Sequence, residues 1–165
     1  MKIREIKPSD AENLANLIQR VEASSQYMLW EAGERVIQPE NQLTMIERIN
    51  SEDNSTILVS ERDNQLIGYL FAMGGNAKRN KHAAYIVIGI SEGYRGQGIG
   101  KLLFKQLENW AASNNIKRLE LTVVTKNEPG LSLYKKAGFE VEGTKRKSLI
   151  IDGEFVDEYY MSKIL

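Results

Sequence analysis

The sequence predicts a mixed α/β fold built on a mostly antiparallel sheet, and three observations lead to this prediction. Strand and helix patterns follow one another in the order β-α-α-β-β-β-α-β-α-β-β. The nearly continuous apolar run at 83–91 (AAYIVIGIS) is typical of a strand buried on both faces. The helix and strand after it predict a right-handed parallel crossover over 83–124.

The first elements alternate regular and irregular segments. Residues 3–6 (IREI) predict a short strand, and the Pro-Ser-Asp run from Pro8 is a helix start signal followed by apolar residues at helical spacing. Residues 22–38 are irregular and mix aromatic residues with glutamates. A second helix is predicted after Pro39.

The central elements are three strands, a helix and a further strand. Residues 55–62 and 65–75 predict strands joined at Asp63-Asn64. After the run at 83–91, a helix with an apolar stripe ends near Asn114-Asn115, and 116–124 predicts a strand.

The C-terminal elements carry clear end signals. Asn127 caps a short helix that has Pro129 in its first turn and Gly138 at its end. Residues 145–151 and 154–164 then predict a hairpin around the two-residue turn Asp152-Gly153.

Composition predicts one domain over residues 1–165 with an ordinary core, since 42% of residues are hydrophobic and 27% charged. Lys plus Arg (22) equals Asp plus Glu (22), so no global charge recruits nucleic acid or membrane. There is no cysteine and one histidine, His82, which excludes thiolate metal sites and argues against a metal held by histidines. The N-terminus lacks an apolar export segment, so we expect a cytoplasmic protein with no metal.

Residues 94–101 (YRGQGIGK) carry three glycines at alternate positions and run into a helix pattern. A Walker A loop is excluded, since it needs glycine where Arg95 stands and a hydroxyl where Leu102 stands. The match to a dinucleotide-binding fingerprint is weak, because that motif has the spacing G-x-G-x-x-G and the spacing here is G-x-G-x-G. Two hypotheses remain open on spacing alone: a helix N-terminus that binds an anion, or a tight turn that needs glycine.

Residues 95–100 (RGQGIG) resemble the R/Q-x-x-G-x-G/A signature of the GNAT acyltransferases, which use acetyl-coenzyme A. Asn127, Leu133-Tyr134 and Gly138-Phe139 resemble the second conserved segment of that family. The resemblance covers essentially the whole chain. It implies the GNAT acyl-CoA N-acyltransferase fold, an α/β (α+β) domain whose mixed, mostly antiparallel sheet has six to seven strands and about four flanking helices.

The resemblance also implies how acetyl-CoA is held. Backbone amides of the loop bind the pyrophosphate, and the residues are Arg95, Gly96, Gln97, Gly98, Gly100 and Lys101. The pantetheine arm pairs with the backbone of Ile88 and Ile90, and Asn127 contacts the coenzyme as well as capping its helix. We expect a bulge at Gly89 to open the slot, with room for packing as the alternative.

For catalysis, the resemblance makes Tyr134 the general acid for the leaving thiolate. The N–H of Ile88 is our candidate for stabilising the oxyanion. The position where related peptide N-terminal acetyltransferases often carry a basic glutamate is Thr122 here. Glu31 is therefore our first candidate base and His82 a second.

The acceptor wall is expected from the segment between the first two helices and from the C-terminal hairpin. Its candidate substrate-binding residues are Tyr27, Trp30, Glu31 and Asp157. We predict acetyl transfer to a primary amine of a small molecule or amino acid by direct transfer in a ternary complex. The alternatives are protein Nα- or Nε-acetylation and a non-catalytic acetyl-CoA sensor. Relatives are often dimers, so a homodimer is allowed.

Overall fold

The computed structural model describes all of residues 1–165 and contains a seven-stranded sheet with four α-helices. The strands are β1 Lys2–Glu5, β2 Thr56–Arg62, β3 Gln65–Gly74, β4 Ala83–Ile90, β5 Arg118–Val124, β6 Glu140–Ile151 and β7 Glu154–Ile164. The helices are α1 Ala11–Ser24, α2 Pro39–Asn50, α3 Ile99–Ser113 and α4 Glu128–Lys136. The predicted order of elements and the predicted fold class are confirmed.

The sheet is antiparallel except at one pair of strands. Its order is β1-β2-β3-β4-β5-β7-β6, and only β4 and β5 run parallel. The helix α3 connects these two strands, so the predicted parallel crossover is confirmed. Because β7 inserts between β5 and β6, the C-terminal hairpin extends the sheet beyond the crossover.

The two faces of the sheet bury two separate cores. Side chains alternate along each strand, so Val59 of β2 packs in the core beneath α1 and α2, while its neighbour Leu58 packs in the core beneath α3. Residues of α4, including Tyr134, pack against the second of these cores. We refer to the two sides as the α1/α2 face and the α3/α4 face.

Several element boundaries differ from the prediction. β6 begins at Glu140 rather than at residue 145, and its pairing with β7 shifts register twice. The charged residues of 142–147 interrupt the apolar alternation that marks a strand, which is why the sequence hides its first half. α1 continues to Ser24, and β5 begins at Arg118.

Two tight hairpin turns follow the predicted chemistry. Asp63 and Asn64 have φ of 51° and 61°, and Asp152 and Gly153 have φ of 52° and 77°. Two consecutive residues with positive φ are the pattern of a type I′ turn, which suits the twist of a two-residue hairpin. The predicted strand junctions at both positions are therefore confirmed.

Candidate active site

The loop between β4 and α3 presents a continuous run of free backbone donors. No N–H group from Gly96 to Lys101 donates to an acceptor within the chain, and the first amide of the helix to do so is that of Leu102, which donates to Gly98 O at 3.2 Å. The first amides of a helix have no intrahelical partner, and the helix dipole adds positive potential there. This arrangement fits a pyrophosphate.

The three alternate glycines have different roles. Gly96 and Gly98 adopt φ of +73° and +82°, and a Cβ built on either would meet no atom within 4 Å. Gly100 lies in the first turn of α3, where a Cβ would stand 2.8 Å from Leu133 Cδ2. The first two therefore keep the loop in a left-handed conformation beside open space, whereas the third lets α3 pack against α4.

Side chains of the loop hold it to its surroundings. Arg95 Nη2 donates to Ser24 Oγ at 3.0 Å, which links the loop to the end of α1. Gln97 Nε2 donates to Gly93 O at 3.2 Å, and Gln97 Oε1 accepts from Arg62 at 3.4 Å. These contacts brace the loop from within the protein and leave the amides of the run free.

A split between β4 and β5 begins next to this loop. The two strands pair over three residues only, and the last pair is Tyr85 with Glu120. From residue 86 to residue 90, β4 keeps its pairing with β3 and has none with β5. An unpaired strand edge inside a sheet offers backbone donors and acceptors to an extended ligand.

The parity of the hydrogen bonds shows which residues of β4 face the split. Ser91 N–H donates to Ile67 O, on the β3 side. Since backbone groups alternate between the two edges of a strand, those of Ile88 and Ile90 point toward β5. One of these groups already has a partner, because Arg95 Nε donates to Ile90 O at 3.1 Å. Ile88 thus directs a free N–H into the split.

The predicted bulge at Gly89 is wrong. The β3–β4 register runs without a shift, with Tyr69 opposite Gly89. A Cβ on Gly89 would lie 2.5 Å from Tyr69 Cζ and 2.6 Å from the Tyr69 hydroxyl. Gly89 therefore makes room for a buried tyrosine ring, and the split arises because β5 diverges after Glu120.

Tyr134 lies on α4 against the core of the α3/α4 face. Its ring makes edge contacts with Phe104 and Phe139 at centroid distances of 5.9 Å and 6.3 Å. Burial raises the pKa of Tyr134 to about 12, and the nearby phenol of Tyr85 adds to the rise. This hydroxyl keeps its proton at neutral pH and can donate it in a hydrogen bond.

The predicted acceptor residues fall into two groups with no hydrogen bond between them. Tyr27, Trp30 and Glu31 belong to the segment between α1 and α2, where Glu31 N–H donates to Glu34 Oε2 at 3.0 Å and the Glu31 side chain is exposed. Asp157 belongs to β7, and its Oδ1 accepts from Lys147 N–H at 2.7 Å. The carboxylate of Asp157 thereby supports the second register shift of β6.

Two structural findings concern other classes of site. No group of three or more His, Asp or Glu side chains is arranged to hold a metal ion. None of the helices combines the length and the hydrophobicity that crossing a membrane requires.

Comparison with known proteins decides the family. Residues 20–139 match the model of the Acetyltransferase (GNAT) family. The chain belongs to the GNAT acetyltransferase family. It is 32% identical over 122 residues to an L-amino acid N-acetyltransferase of Escherichia coli (strain K12), covering 72% of this chain and 74% of that protein.

Solved structures agree with the GNAT fold. The crystal structure of a GNAT-family acetyltransferase from Streptococcus pneumoniae superposes with a TM-score of 0.95 at 29% identity, covering 99% of this chain and 98% of that one. A Salmonella typhimurium structure with its cofactor acetyl-CoA gives a TM-score of 0.88 at 18% identity, covering 99% and 93%. The chain is thus a GNAT N-acetyltransferase with the fold of these proteins.

Sequence reasoning missed an ion pair that a buried glutamate of α1 forms with the segment between α1 and α2. Glu22 of α1 is 4% exposed, and Arg35 donates to its carboxylate from Nε at 2.9 Å. The Arg35 guanidinium also lies over the Trp30 ring, 4.9 Å from its centroid. The one signal in the sequence was a glutamate in register with the buried stripe of Leu14 and Ile18. This pair anchors the segment that carries the predicted acceptor residues.

Asn127 caps α4, as predicted, because its Oδ1 accepts from Gly130 N–H at 3.0 Å. Two substitutions of Asn127 distinguish its role as a helix cap from the coenzyme contact that the GNAT resemblance implies. Asn127→Asp keeps an equally good cap, so we expect unchanged thermal stability but weaker acetyl-CoA binding, since the new carboxylate repels the coenzyme phosphates. Asn127→Ala should lose about 1 kcal/mol of stability. Calorimetric titration and thermal melts measure both effects, and normal coenzyme affinity in Asn127→Asp would leave the cap as the only role.

Proposed function

We propose that this protein transfers an acetyl group from acetyl-CoA to a primary amine of a small molecule or amino acid, by direct transfer in a ternary complex. The observation that carries the proposal is the run of free amides over residues 96–101, placed at the helix N-terminus beside the unpaired edge of β4. The Escherichia coli relative supports the acceptor class, since its name states L-amino acids. The Salmonella typhimurium structure, which has the same fold, contains acetyl-CoA and supports the donor.

The donor is held mainly by backbone groups. The free amides of Gly96, Gln97, Gly98, Gly100 and Lys101 hold the pyrophosphate of the coenzyme, and the N–H groups of Ile88 and Ile90 hold the pantetheine arm. The amide of Arg95, also predicted as a contact, already donates to Glu92 O at 3.4 Å, so Arg95 contributes through its side chain, which braces the loop. Lys101 adds a positive side chain in the first turn of α3, and Asn127 contributes the further contact tested above. Acetyl-CoA, when bound, supplies a reactive acetyl thioester at the split.

The chain then stabilises the charges of the transfer. The N–H of Ile88 donates to the acetyl oxygen as negative charge develops on it, because a preorganised donor stabilises an oxyanion strongly. Tyr134 donates its hydroxyl hydrogen to the sulfur as the carbon–sulfur bond breaks. The nitrogen of the amine forms the new bond to the carbonyl carbon.

The amine must lose its proton before it attacks, because amines with pKa near ~10 are mostly charged at neutral pH. Glu31 is the proposed acceptor of this proton, with water as relay. The nitrogen loses a second proton as the amide forms, and this proton returns to Tyr134, which has given its own to the thiolate. Tyr27, Trp30 and Asp157 are the proposed acceptor contacts. The ion pair of Glu22 with Arg35 positions the segment between α1 and α2 that carries Tyr27, Trp30 and Glu31.

Several coarser predictions belong with this proposal. One acetyltransferase domain over residues 1–165, a cytoplasmic location and a homodimer stay predictions. Protein Nα- or Nε-acetylation is the alternative within the enzyme class. An acetyl-CoA sensor is the alternative outside it, and the intact position of Tyr134 favours the enzyme.

The test is a panel of amines assayed with acetyl-CoA for release of free thiol. We expect turnover with at least one primary amine, and calorimetric binding of acetyl-CoA but not of ATP or NAD. Binding of acetyl-CoA without turnover on any small amine or peptide would favour the sensor. Binding of ATP in preference to acetyl-CoA would contradict the proposed donor.

A further inference from the structure

A cleft of about 390 Å³ opens on the α1/α2 face where β4 and β5 part. Its lining alternates aromatic, charged and apolar side chains: Tyr85, Arg118, Glu120, Leu121, Glu142, Tyr160 and Met161. None of these residues was predicted to contact the acceptor. The cleft lies on strands β4 to β7 rather than on the segment between α1 and α2.

Tyr85 connects this cleft to the proposed reaction centre. Tyr85 and Glu120 are the last paired residues before the split. The Tyr85 hydroxyl forms a hydrogen bond with Thr122 Oγ1 at 2.9 Å, which bridges the two strands just past that point. The cleft therefore opens at the point where the split begins, next to the strand edge proposed to hold the acetyl thioester.

The cleft contains more anionic than cationic side chains. Arg118 donates from Nε to Glu120 at 2.8 Å, and from Nη1 to Glu142 at 3.0 Å, with Nη2 completing a two-point contact to Glu142. The hydrogen bond from Arg118 holds the pKa of Glu142 below its usual range, so that carboxylate is ionised. Two carboxylates against one guanidinium leave the cleft with net negative charge.

The two ion pairs also use the donor edges of the Arg118 guanidinium. Arginine recognises a carboxylate best through two parallel N–H donors. Glu142 takes the terminal pair of donors of Arg118, and Glu120 takes the Nε edge. A substrate carboxylate would find no free two-donor edge and would meet two like charges. An ammonium group would instead find a partner in Glu120, and the exposed rings of Tyr85 and Tyr160 offer faces that attract cations.

We propose that this cleft binds the acceptor as a cationic amine that bears no carboxylate on the carbon next to its nitrogen. Peptide N-termini, amino-acid amides and alkylamines have this chemistry, whereas free α-amino acids do not. The proposal rests on the proposed acetyl transfer and narrows its acceptor class, away from the free L-amino acids that the name of the Escherichia coli relative states. In this proposal Glu120 binds the ammonium group of the acceptor. Glu142 occupies the terminal donors of Arg118, so that Arg118 cannot bind a substrate carboxylate.

Matched acceptors provide the test. We expect kcat/KM for L-leucinamide to exceed that for L-leucine by about tenfold or more, as a close like charge in the cleft costs roughly this factor. The two amines differ in pKa, so the decisive measurement is the ratio of the two kcat/KM values in variants, where that difference cancels. Glu142→Gln should raise the leucine-to-leucinamide ratio by about fivefold or more, because Arg118 is released. Glu120→Gln should lower kcat/KM for leucinamide by about tenfold without changing acetyl-CoA affinity.

Glu140→Gln is the matched control, since Glu140 is an exposed glutamate on the same strand with no ion pair. It should leave both kcat/KM values and their ratio unchanged. A preference of the unaltered protein for leucine, or an unchanged ratio in Glu142→Gln, would overturn the inference while leaving acetyl transfer intact. Failure to acetylate any amine would overturn the proposed function and, with it, the inference.

Discussion

Replacing Tyr134 by phenylalanine should reduce kcat by about tenfold or more, because general acid assistance contributes on this scale or above. Phenylalanine keeps the edge contacts with Phe104 and Phe139 and removes only the hydroxyl. Acetyl-CoA affinity and thermal stability should therefore stay close to those of the unaltered protein. Steady-state assays with an accepted amine and calorimetric titration with acetyl-CoA separate the two effects.

Tyr94→Phe is the matched control for loss of a phenol hydroxyl. Tyr94 packs against the same core and carries no proposed catalytic role, so its variant should retain full turnover. Because the pKa of Tyr134 is raised to about 12, its ionisation should cause no loss of rate between about pH 6 and about pH 10. Full turnover by Tyr134→Phe would remove this residue from the mechanism.

A second large effect is expected at Gly98, where valine should abolish measurable acetyl-CoA binding. Gly98 has φ of +82°, and a Cβ there meets no atom of the protein within 4 Å. The added side chain would therefore project into the space beside the free amides, where a pyrophosphate would approach. A left-handed conformation also costs a non-glycine residue about 1–2 kcal/mol, so the loop itself is expected to shift.

Two further variants isolate the cause. Gly93→Ala adds a methyl group in the same loop, in open space and without a positive φ, and should bind acetyl-CoA normally. Gln97→Ala removes a side chain that braces the loop and should weaken binding only slightly, since the proposed contacts come from the backbone. A folded Gly98→Val protein with normal affinity for acetyl-CoA would refute the backbone cradle.

Local signals accounted for much of the fold. The αL residues of the turns, the cap at Asn127 and the buried stripe of α3 each depend on residues a few positions apart, and all were predictable from sequence. The boundary of β6 was not, because its first half carries charged side chains on an edge strand. Edge strands are not required to show the apolar alternation of buried ones.

The candidate site divides in the same way. The loop over residues 95–101 was recognisable from its glycines and its resemblance, and the structure adds that its amides from Gly96 to Lys101 are free. The space in front of Gly89 was misjudged as a bulge, because the ring that fills it belongs to Tyr69, on the neighbouring strand. The ion pair of Glu22 with Arg35 was likewise hidden, since its members lie on different elements.

By itself, the sequence determined the order of the elements, their caps and turns, the parallel crossover and the family, and these depend on short-range patterns and one local motif. Only the tertiary structure decided where β4 and β5 part and how Arg118 divides its donors between Glu120 and Glu142. These contacts join residues of different strands, and such pairs follow from sheet order and register rather than from spacing along the chain. For that reason the glycine loop of this GNAT protein was predictable from sequence, and the cleft that we propose for the acceptor was not.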